Sequence, residues 1–366
     1  MDTKFGFWIP NMAGGFLSTN YPHETDWDWD YAKKITLLGD EGGFDYALSP
    51  ARYLSSHSAD HSLEANATAL ALGPLTEQIE LISAVHTGLW HPGPLANLVT
   101  TGDRLTGGRI HLNVVTGWFQ DEYTKFGEPW LEHDERYARS EEFIRCLKGL
   151  WKSGKESEPF SFNGRFYHFD KALCRPGPTG NPLIFQAGNS HAARKVAARV
   201  SDWWFLNGNY LSDAKELIDS VHEYAEEFGT EPPKIAINSF ALLKNTEAEA
   251  KHLLEKIIDG AEKETLESFK EQVQEAGNAS PEGEGMWDDA ELEDLVQWNN
   301  GFRTGLIGTK QQIVERIRQL DAIGIDMVLT SFLNYSEDLP VFAEEIIPAV
   351  REAEPLTEKE VQGLPA

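Results

Sequence analysis

Two short stretches carry residue types at spacings that suit anion binding. In Gly127–Trp151, "GEPWLEHDERYARSEEFIRCLKGLW", His133 stands four residues before Tyr137. The apolar spacing of Phe143, Leu147 and Leu150 predicts a helix continuing to about Trp151. His133 and Tyr137 then share one face of its first turn, where free N–H groups and a partial positive charge favour an anion. The same residues also fit a capped helix with a surface His and a half-buried Tyr. In the second stretch, "FQAGNSHAARKVA", Gly188-Asn189-Ser190 forms a tight turn leading straight into a helix. Backbone N–H groups and the Ser190 hydroxyl at such a helix start make a phosphate cradle, while Asn189 or Ser190 as a plain N-cap is the simpler use. Together the two stretches offer a two-sided grip on one phosphate.

The elements that position these residues follow from alternating patterns. Strand candidates rich in β-branched and aromatic residues are Phe5–Pro10, Phe44–Ser49, Glu80–Thr87, Arg109–Gly117, Pro182–Gly188, Asp202–Asn207, Lys234–Leu243 and Asp326–Phe332. Helical patterns lie near 29–42, 60–73, 93–106, 134–152, 190–200, 211–229, 245–276 and 309–323. Eight strands alternating with helices predict an α/β fold, a (β/α)8 TIM barrel with insertions, as a single domain over 1–354 with a tail at 355–366. A Rossmann arrangement is the rival, but no GxGxxG follows any early strand and eight repeats exceed its usual count. In a barrel the informative residues stand at strand C-termini. There "LNVVTG" presents Asn113 and Thr116, followed by the 188–190 turn. Residues 155–175 predict a hairpin with its turn at Asn163-Gly164. Residues 277–305 form a long insertion before the last strand, expected to open at the same face, either as a plain solvated excursion or as a mobile lid.

Bulk properties narrow the partners. The 366-residue chain has 59 acidic and 32 basic residues and a formal charge of −27, which argues against nucleic acid or an anionic membrane surface. Such acidity suits a high-salt cytoplasm or an ordinary acidic surface. Cys146 and Cys174 form no CxxC and no disulfide framework, and Cys146 reads as a small core residue. The N-terminal "MDTKFGFWIPN" lacks a secretory pattern and no stretch has the length of a membrane span, so a soluble, reduced, cytoplasmic protein is expected. His57 and His61 make an H-x3-H, and His86 and His91 follow, but no third ligand has a recognised zinc spacing and no metal site is predicted. His86 or His91 is better suited to be a pocket donor or a satisfied core His.

The stretches "RLTGGRIHLNVVTGW", "EHDERYARSEEFIRCLKGLW", "FQAGNSHAARKVAARVSDWWF" and "LIGT" resemble the bacterial luciferase-like flavin monooxygenases, over about residues 4–350. Within that family "GFDYALSPARY", "WHP", "NVVTGWF", "GEPWLEHDERY", "ASPEGEG", "EDLVQWNNGF" and "IGTKQQIVERI" are most similar to the FMNH2-dependent dimethylsulfone monooxygenase branch, and more distantly to alkanesulfonate monooxygenases. The resemblance implies reduced FMN delivered by a separate NAD(P)H-dependent FMN reductase, O2 and a small sulfone as substrates, and a homo-oligomer (dimer or tetramer). It carries cofactor roles to His133, Tyr137 and Ser190, with Gly188 and Asn189 in the same turn and Asn113 and Thr116 near the flavin ring. For dimethylsulfone it implies cleavage of a C–S bond to methanesulfinate and formaldehyde. Oxygen chemistry on a reduced flavin is diverted to hydrogen peroxide by free water, so the site must be dry. Trp8, Trp90, Trp118 and Trp203 are candidates to enclose it, with ordinary packing as the plainer role of each. Asn11, Trp90 and Asn238 are assigned, from strand-end position, as the residues shaping the substrate pocket.

Substrate polarity is weighed from a departure. Where alkanesulfonate monooxygenases carry an Arg-x-His pair, this chain has Asn238 and Phe240, and "ARYLSSHS" lacks their Cys. An unpaired sulfonate in a dry pocket is costly, so a neutral sulfone is favoured. Arg52 and Arg303 are the two cations able to enter the pocket and offset that preference. Three alternatives stay open at this point: an alkanesulfonate monooxygenase, a deazaflavin (F420)-dependent oxidoreductase on the same barrel, and a non-catalytic flavin-binding protein.

Overall fold

The computed structural model describes residues 1–55, 59–275, 290–361 and 363. Its strands in chain order are β1 (Lys4–Trp8), β2 (Tyr46–Ser49), β3 (Glu80–His86), β4 (Ile110–Val115), β5 (Phe160–Asn163), β6 (His168–Ala172), β7 (Ile184–Ala187), β8 (Trp203–Leu206), β9 (Lys234–Leu243), β10 (Ile307–Gly308) and β11 (Met327–Phe332). Eight of them close a parallel barrel in the order β1-β2-β3-β4-β7-β8-β9-β11, with β11 pairing back on β1 and β8 on β9. Every strand predicted from the alternating pattern is present. The observed ladders stop one or two residues short of most predicted ends. The 155–175 segment is the antiparallel β5–β6 hairpin.

Side-chain alternation separates two layers. Phe5 and Phe7 of β1 point outward: Phe5 packs on Phe342 at 6.2 Å, and a Cβ at Gly39 in the helix Trp29–Glu41 would lie 2.2 Å from the Phe7 ring. A glycine there lets the helix close on the strand. Gly6 points inward, where a Cβ would sit 2.8 Å from Leu329. Beside it Tyr46, Phe185 and Trp203 stack at 5.2–5.9 Å. These rings form an aromatic floor near the strand starts. One step further along the same inward rows stand Trp8, His86, Asn113, Ala187 and Phe205, and these face a cavity.

Some local features differ from expectation. The helix predicted over 245–276 is two, Glu247–Asp259 and Lys263–Glu275. At the break the Gly260 carbonyl accepts from Asn20 N, and Thr19 bridges Ala261. Helices Tyr335–Glu345 and Ile347–Glu352 follow the last strand without having been predicted, because Pro340 and Pro348 interrupt the periodic pattern. Of the 277–305 segment, residues 277–289, including the "SPEGEG" run, lie outside the described residues. Residues 290–305 are hydrogen-bonded to the barrel. Val296 O accepts from Ser18 N, Asn299 O from Gly208 N and Gly301 O from Phe240 N, and the fully buried Gln297 accepts from Asn299 N and Gly301 N.

Candidate active site

The open end of the barrel, at the strand C-termini, carries a cavity of about 140 Å³. Its wall is largely apolar. Trp8, Phe16 and Phe205 close one side, and Thr265, Leu266 and Phe269 from the helix Lys263–Glu275 close another. Asn113 from β4 is the predicted site residue that faces this space directly, and its Oδ1 is buried without a hydrogen-bond partner.

The hydroxyl cluster begins one residue beyond the cavity edge. Val115 and Ala187 belong to the wall and immediately precede Thr116 and the Gly188 turn. Tyr137 projects from the first turn of the helix His133–Glu156, and its hydroxyl interacts with the hydroxyls of both Thr116 and Ser190. Burial raises the Tyr137 pKa, and the Thr116 and Ser190 contacts only partly offset it, so the group is a neutral phenol. The His133 ring lies 5.0 Å from the Tyr137 ring, as the four-residue spacing predicts, and His133 Nδ1 pairs with Asp134 at 2.7 Å. Gly188 has φ +126°, and a Cβ there would lie 2.4 Å from Tyr137 Oη. Glycine is therefore required both by the backbone and by the close approach of the phenol. Ser190 caps the helix His191–Val200, accepting from Ala193 N. It thus acts as the N-cap and as part of the convergent cluster at once. Asn189 Oδ1 is buried with no partner. The structure therefore brings Thr116, His133, Tyr137, Gly188, Asn189 and Ser190 to one place, with Asn113 beside them on the cavity wall.

The three residues assigned to the substrate pocket stand one layer behind its wall. Asn11 is fully buried and donates to Pro50 O and Leu63 O at 3.1 and 3.0 Å, fixing the loop after β2. Trp90 donates from Nε1 to Tyr53 Oη at 2.8 Å. Asn238 is also fully buried. It accepts from Trp8 Nε1 at 2.8 Å and donates to Gln297 Oε1 and Asn299 O at 3.0 and 2.9 Å, so it orients two cavity residues without facing the space itself. The side-chain partners show that most of the polar atoms of these three residues are already committed, Asn11 Oδ1 excepted. Of the tryptophans, Trp8 and Trp118 line the cavity, Trp90 stands behind Tyr53 and Trp203 belongs to the aromatic floor.

A charged cluster that sequence reading did not assemble completes the wall. Glu122, in the short helix Gln120–Lys125, is fully buried, and its Oε1 accepts from Tyr53 N at 2.7 Å and Leu54 N at 3.3 Å. Its Oε2 lies 3.1 Å from His86 Nδ1, in a geometry too bent for a good hydrogen bond. Arg52 approaches Oε1 at 3.9 Å. Burial alone would raise the Glu122 pKa, but His86, Arg52 and the Tyr53 N–H together hold it below the ordinary glutamate value. The neighbouring Tyr123 hydroxyl donates to Thr87 O at 2.9 Å and lies 3.3 Å from Thr116 O, tying the ends of β3 and β4 together beneath Thr116. Six residues between aromatics give no periodic signal, which is why this helix and its two functional side chains are invisible in the pattern. Arg303, the other candidate cation, pairs with Asp294 at 2.7 Å and does not line the cavity. His57 lies outside the described residues. His61 pairs with Asp60 and stacks on Trp27, and no group of three metal-ligating side chains occurs among the described residues.

This arrangement fits a phosphate-tailed aromatic cofactor. Neutral hydroxyls, an imidazole and a ten-residue helix N-terminus are a donor set for a dianion, and the adjoining apolar cavity with unpartnered Asn113 suits a polar-edged ring.

Comparisons with known proteins agree with this geometry. Residues 3–327 match the family described as luciferase-like monooxygenase. The chain is similar to the FMNH(2)-dependent dimethylsulfone monooxygenase of Pseudomonas fluorescens (strain Pf0-1), 45% identical over 351 residues that cover 96% of this chain and 95% of that one. It is equally similar to the protein of the same name from Pseudomonas putida, 45% identical over 353 residues, with 96% of each chain covered. Among solved structures, a long-chain alkane monooxygenase superposes with a TM-score of 0.80 at 19% identity, covering 97% of this chain and 92% of that one, and so shares the fold.

Proposed function

The chain belongs to the luciferase-like monooxygenase family, and we propose that it is an FMNH2-dependent monooxygenase that cleaves a C–S bond of a small sulfone. The observation that carries the cofactor half is the convergence of Thr116, Tyr137 and Ser190 hydroxyls beside Gly188 at the edge of a largely apolar cavity. Similarity to dimethylsulfone monooxygenases over nearly the whole chain carries the substrate half. With dimethylsulfone the balance is one sulfone, one O2 and one FMNH2 giving methanesulfinic acid, formaldehyde, FMN and water.

In this reading Ser190, Tyr137, Thr116 and His133 hold the ribityl phosphate at the N-terminus of the helix His191–Val200, and the Gly188-Asn189 backbone allows its close approach. Asn113 meets the ring edge. Bound, the reduced flavin supplies the electrons that split O2 and place one oxygen atom on the substrate. The protein's part is to hold and to exclude. Trp8, Phe16, Phe205 and Phe269 keep water from the reacting atoms, while Asn238 accepts from the Trp8 N–H of the wall and is itself held by Gln297. Tyr137 stays protonated and serves as donor rather than base. A separate NAD(P)H-dependent FMN reductase, a homo-oligomeric assembly and a cytoplasmic location complete the proposal. No helix among the described residues is long and apolar enough to cross a membrane.

The test is anaerobic loading with FMNH2 followed by air and dimethylsulfone. Formaldehyde equal to the flavin oxidised is expected, whereas hydrogen peroxide as the sole product refutes the reading.

A further inference from the structure

Arg52 stands in the cavity wall with its hydrogen-bonding capacity largely unused. The side chain is 8% exposed. Its guanidinium lies over the Trp118 ring at 4.4 Å and near the Phe119 ring at 5.4 Å. The nearest carboxylate oxygen, Glu122 Oε1, is 3.9 Å away and already accepts from two backbone N–H groups. Neither Nε nor Nη1 of Arg52 has a hydrogen-bond partner. Buried arginine N–H groups are normally satisfied, so unused donors are held in a side chain that lines the cavity. Among the described residues Arg52 is the sole Lys or Arg lining this cavity.

Resting on the sulfone reading above, we propose that Arg52 is a specificity-determining residue that anchors the two sulfur-bound oxygens of the substrate and also retains the anionic sulfinate product. A guanidinium fork matches a pair of oxygens on one sulfur as it matches a carboxylate, and the apolar rings around it receive the methyl groups. The sulfone is neutral and the sulfinate carries a full negative charge on the same two oxygens. A cation in a dry wall therefore holds the product more tightly than the substrate. The consequence is inhibition by small sulfinate anions, competitive with the sulfone. Loss of the strand-borne cation at Asn238 thus does not leave the pocket without a positive charge, because the loop after β2 supplies one.

The test compares wild type, R52K and R52M, with folding checked by thermal melting. Direct calorimetric titration with sodium methanesulfinate measures binding without turnover. Wild type is expected to bind it, R52M to bind about ten- to hundredfold more weakly, and R52K to fall between, because it keeps the charge and loses the fork. In turnover the KM for dimethylsulfone rises about tenfold or more in R52M, while FMN affinity stays within twofold. Equal sulfinate binding by wild type and R52M overturns the inference, as does loss of FMN affinity with sulfone KM unchanged. If wild type makes no formaldehyde yet binds sulfinate through Arg52, the sulfone reading fails and the anchor stands. If wild type turns over normally and R52K and R52M both match it, the anchor alone fails.

Discussion

Replacing Tyr137 by Phe isolates the phosphate grip from the rest of the cofactor site. The ring remains, so its packing against His133 at 5.0 Å is kept, and only the hydroxyl that meets Thr116 and Ser190 is lost. In the free protein this removes neutral hydrogen bonds, and the stability cost is about 0.5–1.5 kcal/mol. With a dianionic phosphate in the grip the lost bond is charge-assisted, worth about 1.5–3 kcal/mol. At about 1.4 kcal/mol per decade that is roughly a 10- to 150-fold rise in the FMN dissociation constant. The assay is flavin fluorescence titration, repeated anaerobically with reduced flavin, using FMN and riboflavin in parallel. Riboflavin lacks the phosphate, so its affinity should be the same in wild type and Y137F. Unchanged FMN affinity, or an equal loss with riboflavin, refutes the assignment of this cluster to the phosphate.

Further outcomes follow from single contacts. Gly188→Ala forces a side chain into φ +126° with its Cβ 2.4 Å from Tyr137 Oη. Backbone strain of about 1–3 kcal/mol and weaker FMN binding are expected, and a variant with wild-type melting temperature and FMN affinity contradicts the close approach. Asn238→Leu orphans the buried Trp8 N–H, for about 1–3 kcal/mol. Urea denaturation should show the loss and sulfone kcat/KM should fall, since Trp8 lines the cavity; an unaltered midpoint speaks against the positioning role. The folded pKa values of Glu122 and Glu24 lie below the ordinary 4.5, and that of Asp40 lies below its ordinary 3.8. Their stabilisation is present above about pH 4.5 and is lost as pH falls through the lower folded values. Glu122→Gln should therefore destabilise at pH 7, and its gap from wild type should close on acidification; a gap that widens towards acid refutes the sign.

The barrel was legible because each strand is a short apolar run and the helices between them are periodic, so type and order survive even where ends slip. Lys234–Leu243 was delimited at both ends. Where the pattern misled, a local cause is visible. Pro340 hid a helix that tolerates it, and the glycine at 260 divided one that read as continuous. The hydroxyl cluster of Tyr137 and Ser190 was legible because it is local: a four-residue spacing on one helix and a three-residue turn before another. The cavity wall was not legible, because it depends on which polar atoms are already taken. Asn238 lies within β9 and Arg52 in the loop after β2, and both are polar. The first is saturated by Trp8, Gln297 and Asn299, and the second has unpartnered donors. No spacing rule distinguishes them.

That contrast bears on how substrate choice is encoded. In the proposed reading the grip on a phosphate tail uses a strand end feeding a helix N-terminus, a geometry that does not depend on what is oxidised nearby. Selectivity must then come from the cavity wall. In this chain several of its positions are borne by loops, Arg52 after β2, Trp118 after β4, and Trp298 and Asn299 before β10, beside strand-borne Asn113. Arg52 is held by Trp118 and Glu122, which arrive together on the segment after β4. A change of substrate therefore requires coordinated change of the loops after β2 and β4, and removing Arg52 alone takes a positive charge from beside buried Glu122, at a cost of up to about 3–5 kcal/mol. The double variant R52M/E122Q should be more stable than R52M alone by a measurable part of that cost while remaining equally weak towards sulfinate. Equal stabilities for the two would show that Glu122 is balanced by His86 without help from Arg52.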